Sequence, residues 1–115
     1  MTPDLLLVRL VPTFLLLLAR CGGVVAFGPV FGSERLPPTL KAGLAGVLAF
    51  LLTPLVAGRN LALPESAPGL AAALVGELVI GAVLGLAVRL VFAGIGMAGE
   101  LAAVQMGIGL PAALD

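Results

Sequence analysis

Hydrophobic and polar positions fall in long blocks along this chain, with apolar stretches separated by two short polar connections. The first apolar stretch follows Thr2-Pro3-Asp4 and continues to about Phe27, where Gly28-Pro29 interrupts it. Because proline is tolerated in the first turn of a helix, Thr2-Pro3-Asp4 is a plausible helix start. The pattern therefore predicts a first helix that contains Pro12 and ends near Phe27.

A second helix is predicted between the two polar connections. Residues 32–41 form the first connection, and the apolar stretch over about 39–57 follows it, with a kink expected at Thr53-Pro54. Residues 58–69 form the second connection. Within it, Ser66 is placed to cap the helix that follows, because a serine side chain can accept a hydrogen bond from a first-turn amide.

The rest of the chain has no turn signal stronger than glycine until Pro111. A single helix over that length would measure roughly 65 Å at about 1.5 Å per residue, about twice the hydrocarbon thickness of a bilayer. We therefore predict a break in the glycine-rich residues 94–99. This gives a third helix over 68–93 and a fourth apolar segment over 98–113, so three to four apolar helices in all.

Composition places these helices in lipid or against other protein. Hydrophobic residues make up 61% of the chain and charged residues 10%, whereas a soluble domain has about 45–50% and about 25%. The six basic and six acidic residues are spread singly, so nucleic acid is not an expected partner. We predict an all-α, polytopic helical membrane protein in which residues 1–115 form a single helical membrane domain.

The chain offers little material for catalysis. It has no histidine, a single cysteine at Cys21, and aspartate only at Asp4 and Asp115. Serine–histidine, paired-aspartate and zinc sites are therefore not expected, and we predict no enzyme activity, no metal and no cofactor. The first eight residues lack the lysine or arginine of a signal peptide, so we expect the first helix to be retained.

Four charged residues interrupt the apolar stretches: Arg20, Glu77, Arg89 and Glu100. Each would cost roughly 2.5–3.5 kcal/mol at the centre of an isolated inserted helix. Two interpretations follow. The charges either pair structurally or reach water at the ends of helices, or they line a subunit interface or an aqueous path.

The third helix carries a ridge of residues that suits close contact with protein. Glu77, Gly81, Gly85 and Arg89 recur at every fourth position, and two glycines at that spacing let another backbone approach closely. We therefore take these four residues, together with Arg20 and Glu100, as candidates for packing between subunits.

The final apolar stretch is poorly suited to a helix. It consists of Gln105, Met106, Gly107, Ile108, Gly109 and Leu110, followed by Pro111. Non-helical backbone at membrane depth must be buried in protein or line a cavity. Packing and the lining of a pore are equal alternatives for this stretch on the residues alone.

Several segments resemble the FliR family of flagellar export-apparatus proteins, in order and over nearly the whole chain. The most specific are Gly99-Glu100-Leu101 and the following Gln105-Met106-Gly107. Injectisome relatives usually carry a basic residue after that glutamine, so Met106 favours the flagellar branch. The other matching segments are Arg20-Cys-Gly-Gly23, residues 29–33, Lys41-Ala-Gly-Leu44, and Glu77-Leu-Val-Ile-Gly81 with Gly85.

The resemblance implies a subunit of the flagellar type III protein export gate. The expected location is the bacterial cytoplasmic (inner) membrane at the flagellar basal body. The expected partners are FliP-like and FliQ-like membrane subunits, other export-apparatus proteins and membrane lipid, and the cargo is unfolded flagellar protein. Members form helical hairpins that pack into a gate rising out of the membrane plane, so apolar segments there face sister subunits.

The family also implies a role for the final stretch and a longer chain. Residues Gln105 to Leu110 correspond to the loop that plugs the closed pore, although Pro111 departs from the residue usual in the family. Because members continue for about as many residues again, we expect this chain to be the N-terminal half of a longer protein.

Two other functions compete with the export gate. Half of a small-solute permease would need a second repeat and a polar site at the membrane midplane, where this sequence offers no cluster of polar ligands. A structural anchor facing lipid is disfavoured by the glycine ridge and by the embedded charges.

Overall fold

The computed structural model describes residues 3–29, 35–59 and 61–108. Within these ranges the regular secondary structure is three helices: α1 (Pro3–Phe27), α2 (Pro38–Ala57) and α3 (Ala67–Gln105). Each helix is long and apolar enough to cross a membrane. The prediction of an all-α, polytopic helical membrane protein is confirmed.

Helix α1 lies between the other two helices and packs against both. Helix α2 runs back along α1, so that residues 50–54 line the same surface hollow as residues 10–15. Helix α3 runs parallel to α1 and in close contact with it, with Gly81 beside Arg20 and Gly85 beside Val24. The resulting molecule is a rod of 67 × 23 × 22 Å.

Two of the helices accommodate an internal proline. Pro12 lies inside α1 and Pro54 inside α2, and a proline has no amide hydrogen to donate to the preceding turn. The neighbouring Thr13 and Thr53 are both buried. Each donates its hydroxyl to the carbonyl four residues earlier, at 2.7 and 2.6 Å, so these polar side chains are satisfied within their own helices.

The starts of α2 and α3 follow the local sequence. Helix α2 begins at Pro38, one residue before the predicted start, because a proline fits the first position of a helix, where no amide is needed. Helix α3 begins after Ser66, whose hydroxyl oxygen accepts a hydrogen bond from the Gly69 amide at 3.2 Å. The predicted serine cap is confirmed.

The predicted break in residues 94–99 is wrong. Helix α3 is continuous over 39 residues, so the separate segments 68–93 and 98–113 are one helix as far as Gln105, and residues 109–113 lie outside the described part. A glycine costs only about 1 kcal/mol in a helix interior, and no proline follows Pro68 before the helix ends. At about 1.5 Å per residue, α3 is roughly 58 Å long.

The buried core is small and is made of small side chains. Its apolar members among the described residues are Val25, Ala45 and Ala49, and no large side chain there is fully buried. Small residues allow helices to approach closely, which is how helices pack where the surroundings are as apolar as the side chains. Most of the large apolar side chains therefore point away from the bundle, towards lipid or other protein.

Candidate functional site

Three glycines bring the backbones of α1 and α3 into direct contact. A Cβ atom on Gly23 would lie 2.6 Å from an α3 carbonyl oxygen, and one on Gly85 would lie 2.9 Å from the Val24 carbonyl oxygen. A Cβ on Gly81 would collide with the carbonyl oxygen of Arg20. Only a hydrogen atom fits at these three positions, so the contact depends on glycine.

An ion pair lies next to this glycine contact. The Arg20 Nη2 group donates a hydrogen bond to Glu77 Oε1 at 3.0 Å, and Arg20 Nε lies 2.5 Å from Glu77 Oε2. The Nε–H group is not aligned for a hydrogen bond, so the second contact is electrostatic. The arginine side chain is 44% exposed and the glutamate side chain 25%, which leaves the pair partly open to its surroundings.

The structure thus brings four of the six packing candidates together within one chain. The neighbour that Glu77, Gly81 and Gly85 meet is α1, which also supplies Arg20. For these residues the described contacts are internal. That they also take part in packing between subunits stays a prediction.

A cleft of about 340 Å³, here called the polar cleft, opens beside the ion pair. Arg59, which follows the end of α2, lines it together with Thr13 and the ion pair. Its remaining walls are apolar: Leu16, Leu17, Val56, Leu61 and Leu63. No cluster of His, Cys, Asp and Glu that could hold a metal ion occurs among the described residues.

The other two packing candidates lie in a part of α3 that no described residue covers. Arg89 and Glu100 are both exposed, and in the described part of the chain neither forms an ion pair. They are eleven positions apart, close to three helical turns, so they lie on one face of α3 about 16 Å from each other. None of residues 86–105, here called the distal segment, is buried.

The glycines of the distal segment differ from those of the α1 contact. A Cβ atom added to Gly94, Gly96 or Gly99 would meet no described atom within 4 Å. Large apolar side chains are exposed in the same segment, among them Leu90 at 65% and Ile95 at 65%. The distal segment thus presents apolar and small residues, with two charges, to whatever surrounds it.

Helix α3 ends in a defined turn. Gly107 has φ +75°, its amide donates to the Val104 carbonyl at 3.0 Å, and the Ile108 amide donates to the Ala103 carbonyl at 3.0 Å. These two bonds form a Schellman motif, in which glycine is preferred because of its positive φ.

This turn shows where the plug candidates lie. Gln105 is the last helical residue, while Met106 and Ile108 are 67% and 69% exposed. Gly109 and Leu110 lie outside the described residues. Nothing in the described part of the chain covers the turn, and its role as a pore plug stays a prediction.

Sequence reasoning missed two residues of this region. Gly23 is also tightly enclosed, with an α3 carbonyl oxygen 2.6 Å from a Cβ built on it. Its spacing of four from Ala19 is the same small-residue pattern that the α3 glycines show. Arg59 was assigned only to a connection, because the sequence does not show that this connection folds back beside α1.

Comparison with known proteins gives two findings. The family described as "Bacterial export proteins, family 1" matches residues 11–115. The flagellar biosynthetic protein FliR of Caulobacter vibrioides is 31% identical over 90 residues, which cover 78% of this chain and 36% of that protein. This chain thus spans little more than a third of that relative's length, and no solved structure matches it. The match over nearly the whole chain shows that this helical membrane protein belongs to the bacterial export proteins, family 1.

Proposed function

We propose that this chain is part of a flagellar type III export gate subunit in the bacterial inner membrane, where it packs against FliP-like and FliQ-like subunits. Its membership of the bacterial export proteins supports a role in protein transport. The printed name of its relative supports the flagellar system. The cargo of such a gate is unfolded flagellar protein, and no catalytic step is assigned to this chain.

The observation that carries this proposal is the uncovered distal segment. Arg89 and Glu100 stand on one face of α3 without an ionic partner in the described part of the chain. Helix α3 is about 58 Å long, roughly twice the thickness of the hydrocarbon, so part of the distal segment must extend out of a bilayer. Its exposed apolar side chains would then face water. A neighbouring subunit covers these side chains and can offer a carboxylate to Arg89 and a cation to Glu100.

Charge reversal on the distal segment tests the packing. We expect Arg89→Glu or Glu100→Lys in the full-length protein to lower the amount of co-purifying FliP-like subunit roughly tenfold or more, because an unpaired charge in an interface costs about 2–5 kcal/mol. Arg35→Glu is the matched control, since Arg35 is an exposed residue in the first connection. Equal yields for the distal variants and the control would contradict the proposed surface.

Cysteine labelling locates the covered face independently. In a Cys21→Ser background, Ala93→Cys lies about 40° around the helix from Arg89, whereas Val91→Cys lies about 160° away. In the assembled complex we expect Ala93→Cys to resist a water-soluble maleimide and Val91→Cys to react with it, because only an uncovered thiol that reaches water forms the reactive thiolate. Rapid labelling of both positions would show that neither face of the segment is covered and would contradict subunit packing.

The plug role has its own test. We expect deletion of residues 106–110 from the full-length protein to leave assembly intact, because the deleted segment begins where α3 has ended. The same deletion should raise ion leakage through the complex in liposomes. A Gly-Ser linker of the same length is the control for chain length and should leak as well. Leakage no greater than that of the wild type would refute the plug.

A further inference from the structure

Among the described residues that line it, the polar cleft carries one positive charge more than it balances. Its lining contains two guanidinium groups, Arg20 and Arg59, and one carboxylate, Glu77. Glu77 forms its ion pair with Arg20, so the charge of Arg59 is not balanced by any described residue that lines the cleft. Two further charges, Arg9 and Glu65, line a separate hollow across the 61–63 connection; they are opposite in sign and do not cancel Arg59.

The position of Arg59 along the bundle suits a headgroup. Helix α2 has 20 residues, which is roughly 30 Å and equals the hydrocarbon thickness of a bilayer. Arg59 follows two residues after this helix ends, so a bilayer that contains α2 has its boundary near the guanidinium. A cation at this depth lies at the level of lipid phosphates.

The walls of the polar cleft favour a molecule that is both charged and apolar. Leu16 and Leu17 of α1, with Leu61 and Leu63 of the connection, form apolar sides of the cleft that Arg59 also lines. A small inorganic anion would use the charge and leave these walls uncovered. A lipid with a neutral headgroup would cover the walls without balancing the charge. An anionic phospholipid does both.

We propose that the polar cleft binds a phospholipid with an anionic headgroup, which accepts hydrogen bonds from Arg59 and lays an acyl chain along the leucine walls. Arginine is suited to this role because its planar guanidinium matches two phosphate oxygens at once. Arg20 also lines the cleft, is held there by Glu77, and still has N–H groups that its single hydrogen bond to Glu77 does not use.

The test is lipid binding by the full-length protein in neutral detergent, measured by native mass spectrometry. The probes are phosphatidylglycerol and phosphatidylcholine with the same acyl chains. We expect the wild type to retain phosphatidylglycerol preferentially and Arg59→Gln to bind it about fivefold more weakly, the factor that roughly 1 kcal/mol per basic residue implies. Arg35→Gln, at an exposed arginine outside the cleft, should bind like the wild type. Equal retention by both variants overturns the proposal.

Two further measurements keep the result unambiguous. Arg59→Lys should recover most of the preference if charge is the cause, and failure to recover it in a folded protein would overturn the charge argument. Leu63→Asn alters the wall alone, so it should weaken phosphatidylglycerol binding and leave the weak binding of inorganic phosphate unchanged. If inorganic phosphate displaces phosphatidylglycerol and Leu63→Asn has no effect, the site binds free anions and the lipid proposal is wrong.

Discussion

The two halves of α3 both contain glycines and charged residues, but only one half is covered by the rest of the described chain. In residues 67–85, here called the proximal segment, two glycines are closed by α1 and Glu77 is paired with Arg20. In the distal segment, three glycines face open space and two charges stand alone in the described part of the chain. The proximal segment shows how this chain satisfies a charge beside a glycine contact, and the distal segment shows where that arrangement is incomplete.

This difference assigns separate roles to the two segments. The proximal segment gains its stability from its own chain, so its variants should affect folding even when no other subunit is present. The distal segment is exposed to the described rest of the chain, so its variants should affect assembly much more than folding. Measurements of folding and assembly on matched pairs of variants therefore test whether the two segments differ in this way.

The largest effect on folding is expected for Gly81→Ala. Its new methyl group would collide with the Arg20 carbonyl oxygen, which is backbone and cannot rotate away, so α1 and α3 must separate. We expect the free energy of unfolding in mixed micelles to fall by about 2–4 kcal/mol. Gly94→Ala is the matched control, because its methyl group meets nothing within 4 Å, and it should stabilise the helix by about 0.5–1 kcal/mol.

If Gly81→Ala and Gly94→Ala changed the free energy of unfolding equally, the proximal and distal segments would not differ in packing. Destabilisation by both would mean that the distal segment is already packed in the isolated protein. Tolerance of both would mean that α1 and α3 are not in backbone contact in the folded protein.

A smaller effect is expected from the ion pair. We expect Glu77→Gln to lower the free energy of unfolding by about 1–3 kcal/mol, between the values for exposed and buried pairs, because both side chains are partly exposed. Glu100→Gln, which breaks no ion pair in the described chain, should leave this free energy unchanged.

A double-mutant cycle isolates the pair itself. Arg20→Gln added to Glu77→Gln should cost little more than the first substitution, because the partner has already been lost. Strict additivity of the two substitutions would show that Arg20 and Glu77 do not interact in the folded protein.

Much of this architecture could be predicted from local signals in the sequence. Gly28-Pro29 and Pro38 mark helix boundaries, and Ser66 marks the start of α3, because capping and the lack of a proline amide act over only a few residues. The unbroken α3 could not be predicted by the same reasoning. The predicted break assumes that a helix is no longer than the thickness of one bilayer. A helix that extends beyond its own bundle, as α3 does, can be longer than that.

The residues of the candidate site could largely be predicted from the sequence, but their arrangement in space could not. Arg20 and Glu77 are conspicuous as charges in apolar stretches, which implies that each needs a partner. They are 57 positions apart in the sequence, and only the parallel packing of α1 and α3 brings them together. Arg59 is a candidate only because the second connection lines the polar cleft, which the sequence does not show.

The smallest effect is expected at the turn that follows the distal segment. Gly107 has φ +75°, so Gly107→Ala places a Cβ in the left-handed region at a cost of about 1 kcal/mol. The substitution should loosen the two hydrogen bonds of the Schellman motif and speed amide exchange at residues 107 and 108, while Gly99→Ala, inside the helix, should slow exchange around it. Because the turn has no other described contact, the strain can be relieved locally. The amides at the α1–α3 contact should therefore stay as protected from exchange as in the wild type. Slower exchange in the Gly107→Ala turn would mean that contacts outside this chain hold the loop in place.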